Sequence, residues 1–390
     1  MCHGRVTEAA FRYQRADRAL LQGDRDSNKR SEGIDVYGNG EHQNVGAGAR
    51  EACRMNGKYL GYVAGQDPLH GFLCKTIRDC LGVRESQPAF RVFRLSGSNE
   101  VYGYEEKFSN AKVICKFYGP RFGWDRDRAA RMAQQEYEGL RMLRRYNLVG
   151  SPHHVIRPLA FSRDINGMLA LEYYSGEEFS HAIARATQYQ DDAHLYWRLK
   201  ALAYFLATQH NRTASGSGVD FDPDCRYFDT LVGRLTKARR IGHRDIDELS
   251  WLRDQWRGRP RMWQDQQVWL HGDATPANFL FGCGLDVAAI DLERMKRGDR
   301  MFDVGRVAGE LEHAFMCTGD RHRAESFIVH FLWEYSCHFP DRQRAFESIS
   351  ARAPYYMALN LLRISRNDYI GQDYGQRLVA RAKKLLRAAA

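Results

Sequence analysis

Two carboxylates and one amide stand in this chain at spacings that suit phosphoryl transfer. The run His271-Gly272-Asp273-Ala274-Thr275-Pro276-Ala277-Asn278 is followed thirteen residues later by Asp291. Phosphoryl transfer asks little covalent chemistry of a protein. A base must orient the attacking hydroxyl, and ligands must hold magnesium against the phosphates. An Asp followed five residues later by an Asn, near one turn, supplies the base and one metal ligand. A second Asp on a neighbouring strand completes the metal site, because magnesium takes hard oxygen donors, few of them carboxylates. Asp273 is therefore the candidate catalytic base, and Asn278 and Asp291 are the candidate magnesium ligands.

Those side chains need rigid carriers. Gln267-Val268-Trp269-Leu270 is an apolar stretch that delivers the loop. Behind it, Phe279-Leu280-Phe281, a Gly282-Cys283-Gly284 turn and Val287-Ala288-Ala289-Ile290 read as a buried hairpin that ends at Asp291. A surface turn with a capping Asp and a solvated Asn is the alternative, and the flanking apolar strands speak against it.

This stretch, with Ile290-Asp291-Leu292-Glu293 and Gly298-Asp299-Arg300-Met301-Phe302-Asp303-Val304-Gly305, resembles the aminoglycoside phosphotransferase and choline kinase family. The resemblance implies an α+β, two-lobed protein-kinase-like fold. An antiparallel-sheet N-lobe would occupy residues 86–174 and a mainly helical C-lobe residues 175–390, behind an extension over residues 1–85. It assigns Asp273, Asn278 and Asp291 the same roles, a bracing role to Asp303 beneath the loop, and an orienting role to His271. The implied activity moves the γ-phosphate of ATP, or of GTP, to a hydroxyl of a small molecule such as a sugar or an amino alcohol.

Such a fold makes demands on the sequence upstream: a phosphate-covering turn, a strand lysine, a helix glutamate and a hinge, in that order. Phe90-Arg91-Val92-Phe93-Arg94-Leu95 alternates like a half-exposed strand, and Ser96, Gly97, Ser98 and Asn99 then make a small polar turn before Val101. Small residues there let backbone N–H groups approach phosphate oxygens. Val113-Ile114-Cys115-Lys116 ends an apolar run with the charge that would reach the inner phosphates; Lys112, beside the Ser109-Asn110 turn, is the poorer candidate. Residues 125–146 have helix-forming composition, with Ala133, Glu136, Leu140 and Leu143 on one face. Glu136 is the expected partner of Lys116, with Glu138 the second choice. Residues 157–161 and 168–174 read as a strand pair, and the second strand, carrying Glu172 and Tyr174, resembles the hinge where backbone groups meet adenine. Residues 195–210 form an apolar-periodic helix that fits the centre of the larger lobe.

Composition bounds the rest. The 390 residues suffice for one or two sizeable cores, and no apolar run approaches the roughly 18 residues of a membrane span. Nine scattered cysteines without a C-x-x-C pair point to a reduced, cytoplasmic protein. A net charge of +10 allows a polyanionic partner, but no nucleic-acid motif accompanies it. Residues 22–58 are polar and aperiodic and read as loosely ordered, whereas residues 69–81 could form one amphipathic helix on the small lobe.

The region 213–265 is expected to shape the acceptor pocket. It holds Tyr227, Phe228, Arg239, Arg240, Trp251, Trp256 and Trp263, a lining suited to an anionic or sugar-like hydroxylated acceptor unless the tryptophans simply fill the core. The amphipathic helix over residues 376–390 is expected to pack on the large lobe rather than on a membrane surface. Two other readings stand beside the small-molecule kinase. A protein kinase is disfavoured by Gly272 and by Asp291-Leu292-Glu293; a non-catalytic nucleotide-binding scaffold would have no need of base, metal ligands and lysine together.

Overall fold

The computed structural model describes Met55 and residues 57–95, 100–119 and 125–388. The turn of Ser96, Gly97, Ser98 and Asn99 lies outside the described residues, as does most of the polar stretch 22–58.

The N-terminal part runs β1 (Lys58–Tyr62), α1 (Pro68–Leu81), β2 (Phe90–Arg94), β3 (Glu100–Glu106), β4 (Lys112–Phe117), α2 (Arg126–Arg144), β5 (Val149–Gly150), β6 (His153–Val155), β7 (Pro158–Ser162) and β8 (Met168–Glu172). Six of these strands form one antiparallel sheet in the order β1-β2-β3-β4-β8-β7. Asp67 caps α1 through Leu69 N and Pro68 fills its first turn, as helix starts favour. The sheet is covered on both faces, and its alternation decides what each face sees. Val113, Cys115 and Phe117 of β4, with Met168 and Ala170 of β8, pack with Leu69, Leu73 and Ile77 of α1. Leu169 and Leu171 turn the other way, into the core that holds Ala129, Ala133, Leu140 and Leu143 of α2. Lys116 falls on that second face with Ile114. The same two-residue period that buries Cys115 therefore aims the lysine at α2.

The C-terminal part follows as β9 (Glu177–Glu178), α3 (Phe179–Tyr189), α4 (Asp192–Arg212), α5 (Asp222–Lys237), α6 (His243–Arg257), β10 (Gln267–Leu270), β11 (Phe279–Phe281), β12 (Val287–Ala289), β13 (Lys296–Asp299), α7 (Met301–Cys317), α8 (Arg321–Ser336), α9 (Arg342–Ser365) and α10 (Gln372–Ala388). The hairpin β11–β12 is the centre of a sheet ordered β5-β6-β12-β11-β9, and β10 pairs with β13. Helix α4 buries Leu195, Leu199, Leu202, Phe205 and Leu206, as the central helix of this half should. Helix α9 crosses close to α7. A Cβ on Gly305 would sit 2.2 Å from Tyr356 Cβ, and one on Gly309 would sit 2.9 Å from Asn360 Cβ, so only glycine allows that approach. The α9 arginines are thereby brought to the site. Helix α10 docks through Leu378, Val379, Leu385 and Leu386. Of the three tryptophans, Trp256 is buried, Trp263 half-buried and Trp251 exposed. Among the described residues no helix is long and apolar enough to cross a membrane.

Candidate active site

The loop begins where β10 ends. Gly272 has φ +80°, and a Cβ there would lie 2.0 Å from the carbonyl oxygen of Arg294, so the backbone at this point is open to glycine alone. One carboxylate holds the bend. Asp303, in the first turn of α7, accepts from His271 N at 2.6 Å, from Gly272 N at 3.0 Å and from the His210 ring at 3.3 Å. Burial would raise its pKa, yet His210, His271 and the amide donors hold it below the usual carboxylate value. Asp303 thus braces the loop, the role the resemblance implied. The His271 ring is buried against Phe279, and its Nδ1 accepts from Asp273 N at 3.4 Å.

Two backbone-anchored bonds then tie the key residues together. Asn278, ending a tight turn at Pro276–Asn278, donates its side-chain Nδ2 to the Asp273 carbonyl at 2.8 Å. Its own carbonyl accepts from Ile290 N at 3.0 Å, which sets Asp291 beside it. Asp291 takes φ +59°, a left-handed conformation that Asp tolerates better than most side chains. It is the kind of strained position that clusters at functional sites.

Across the lobe boundary comes Lys116. Its Nζ lies 2.9 Å from Glu136 Oε2, 2.5 Å from Asp291 Oδ1 and 2.8 Å from Glu293 Oε2. Tyr118 donates its hydroxyl to the same Glu136 oxygen. Burial pulls the lysine's pKa down; Glu136, Asp291 and Glu293 outweigh that and keep it above the ordinary value. Glu136 is raised, by burial first and then by Asp291 and Glu293 against the pull of Lys116. Three carboxylates facing one ammonium leave an excess of negative charge. Their oxygens lie within 4.8 Å of one another, a cluster of hard donors that fits magnesium.

The remaining sequence candidates lie at the end of β8 and just beyond it. Glu172 accepts from His154 Nε2 at 2.6 Å and from Arg157 N at 2.5 Å, and its amide donates to Arg157 O, so its polar groups are engaged within the protein. Burial notwithstanding, His154, Arg157 and Arg144 keep its pKa low. Tyr174 stacks on the His154 ring, with centroids 5.6 Å apart. Glu138 is not the lysine's partner: it accepts from Gln134 one turn back on α2.

Several residues here carried no role in the sequence. Arg306 Nη1 donates to Asp273 Oδ1 at 2.6 Å and to the Gly272 carbonyl at 2.8 Å. Arg294 Nε stands 3.7 Å from Asp273 Oδ2. Arg306 follows Asp303 by three residues, one helical turn, so its place on the loop-facing side of α7 was open to inference once Asp303 was fixed. Glu293 was visible as the second acid of Asp291-Leu292-Glu293, but its bond to Lys116 joins residues far apart in the chain and leaves no local mark.

Comparison with known proteins bears on this arrangement. The model of the phosphotransferase enzyme family matches residues 94–338. No curated protein sequence matches the chain. Among solved structures, an ethanolamine kinase of Plasmodium vivax has 14% sequence identity and a TM-score of 0.54, covering 83% of this chain and 89% of its own. A choline kinase of Streptococcus pneumoniae has 16% identity and a TM-score of 0.45, covering 83% of this chain and 100% of its own. The first of these likenesses gives the two-lobed kinase-like fold.

Proposed function

The chain belongs to the phosphotransferase enzyme family, and from that premise we propose that it moves the γ-phosphoryl group of ATP or GTP onto a hydroxyl of a small molecule. Asp273 is the base, and Asn278 and Asp291 hold magnesium. The observation that carries this reading is the short chain of contacts from Asp273 through Asn278 to Ile290 and Asp291, and on to Lys116. Residues up to 175 positions apart in sequence meet there.

In the reaction the acceptor oxygen forms a bond to the γ-phosphorus, the bond from that phosphorus to the bridging oxygen breaks, and a nucleoside diphosphate leaves. The hydroxyl proton passes to Asp273. Phosphoryl transfer proceeds through a loose transition state, so Asp273 chiefly orients the hydroxyl. Arg306 fixes the carboxylate for that task, and Asp303 fixes the loop under it. Asn278 commits its Nδ2 to the Asp273 carbonyl, which leaves its oxygen as the ligand atom. Magnesium, when bound, would neutralise charge developing on the phosphoryl oxygens. Lys116 keeps Glu136 as its anchor and can exchange Asp291 and Glu293 for phosphate oxygens. The backbone following Glu172 is the place for adenine.

Substitution of Asp273 by Asn tests this. Nucleotide affinity should stay within about threefold while transfer falls by about a hundredfold or more. Asp291→Asn should instead abolish the magnesium dependence of nucleotide binding. Undiminished turnover in Asp273→Asn would overturn the assignment.

A further inference from the structure

Asp273 marks where the acceptor hydroxyl must come, within hydrogen-bond reach of its carboxylate. Arginines from three elements converge on that side of the cleft. Arg294 comes from the loop between β12 and β13, 3.7 Å from Asp273 Oδ2. Arg306 comes from α7. Arg363, in the last turn of α9, gives Nη2 to Glu310 at 2.6 Å and Nε to Asn360 at 2.9 Å, and lies within electrostatic reach of Asp273. Arg366 follows three residues on, sharing its face. Tyr227 of α5 lies within electrostatic reach of Arg306, Arg363 and Arg366. Arg366 and Arg234 also line a cavity of about 650 Å³ with Lys237, Asn367, Asp368 and Tyr369.

The charges here are unbalanced. Glu310 answers Arg363, Asp273 answers Arg306, and Arg294 stands 3.7 Å from Asp273 and 3.8 Å from Glu293. Arg234, Lys237 and Arg366 form no ion pair among the described residues, and Asp368 is the one acid in the cavity wall. Half-burial lowers the Arg366 pKa; Tyr227 opposes this, and crowding by Arg234, Arg363 and Arg294 adds to it. Cations in a last helical turn also complement the helix dipole. That accounts for Arg363 on α9 and for Arg234 and Lys237 in the last turn of α5, but not for the two helix ends meeting at one cavity or for Arg294 arriving from a loop. A cationic acceptor, such as an amine, would be repelled.

Resting on the kinase reading above, we infer that the acceptor is a small hydroxylated anion, a phosphate monoester or a carboxylic acid. Arg366, Arg234 and Arg294 hold its charge while its hydroxyl meets Asp273. The transfer chemistry is unchanged: the acceptor oxygen gains the phosphoryl group, and its proton goes to Asp273. Arginine suits the task because its planar fork pairs with either anion through two hydrogen bonds.

The test uses four probes of one size: glycerol 3-phosphate, glycerate, glycerol and ethanolamine. Binding to the full chain with ADP and magnesium is followed by calorimetry, and phosphoryl transfer from ATP is followed in parallel. Glycerol 3-phosphate or glycerate should bind at least tenfold more tightly than glycerol or ethanolamine, and the better of the two identifies the anion. Arg366→Ala should weaken that binding by about ten- to a hundredfold, leaving nucleotide affinity and melting temperature unchanged. Arg234→Ala should act in the same direction, with a smaller effect. Equal binding of all four probes, preference for ethanolamine, or full affinity in Arg366→Ala would each overturn the inference. Anion binding that depends on Arg366, without Asp273-dependent transfer from ATP to any probe or to a wider pool of hydroxylated anions, would instead count against the kinase reading.

Discussion

Replacing Gly272 by alanine tests the geometry of the loop at its tightest point. Two penalties act together. An L-residue in the left-handed region costs about 1–2 kcal/mol. The new methyl would also lie 2.0 Å from Arg294 O and 2.7 Å from Arg294 C. Carbon to carbonyl-oxygen contacts normally sit near ~3.3 Å or beyond, so the two segments must part by about 1 Å. Relieving such overpacking costs about 1–3 kcal/mol more. Gly272→Ala should therefore lose about 2–5 kcal/mol in a urea titration. Because Asp273 is the next residue, a shift of that size should cut transfer by about a hundredfold. Gly284 supplies the control. It has φ +60° with nothing within 4 Å of a built Cβ, so alanine there meets the backbone penalty alone. Gly284→Ala should lose about 1 kcal/mol and keep full activity. If Gly272→Ala transfers phosphate within twofold of the parent and melts with it, the steric account of this loop is wrong. If both variants lose activity alike, the effect is not specific to the loop.

Other expectations follow from buried charge. Burial, opposed by Lys296 and helped by Asp299, pushes the Asp224 carboxyl up to about 6. An acid whose folded pKa exceeds its unfolded one weakens the fold where it is ionised. The penalty is absent below about pH 4 and complete above about pH 6. Asp224→Asn should therefore gain about 2–3 kcal/mol at pH 7.5 and nothing at pH 4, measured by urea titration; an equal gain at both would contradict this. Asp303 is the opposite case, with a lowered folded pKa, so its contribution is present above about pH 4 and lost as pH falls further. Asp303→Asn has one oxygen for three donors and should cost about 2–4 kcal/mol at pH 7, with a melt less sensitive to acid than the parent's. Lys116→Met leaves Glu136, Asp291 and Glu293 without their cation and should cost about 3–5 kcal/mol. Added manganese should then raise its melting temperature more than it raises the parent's.

The parts of this site that lie close together in sequence were legible in it. The loop, its hairpin and the Asp291 terminus are local, and their apolar flanks and glycine turns announce them. The Lys116–Glu136 pair was legible for a different reason. Strand alternation fixes which way Lys116 points, and helical spacing puts Glu136 on the buried face of α2. What convergence alone creates was hidden. Arg363 and Arg366 come near the site because Gly305 and Gly309 let α7 and α9 close up, and nothing in the spacing of those two arginines reports it. The strand Lys58–Tyr62 escaped notice too. It lies at the sheet edge with four of its five residues exposed, so it shows no alternation of apolar and polar positions. The tryptophans divide between core and surface in a way composition could not decide.

The central claim is that Asp291 and Asn278 share one cation that also meets a triphosphate beside Asp273. Anomalous diffraction from manganese in crystals grown with a non-hydrolysable ATP analogue measures this directly. The account predicts a peak about 2.1–2.2 Å from an oxygen of each residue and from phosphate oxygens. A manganese peak bound to the phosphates but out of coordination range of Asp291 would contradict it.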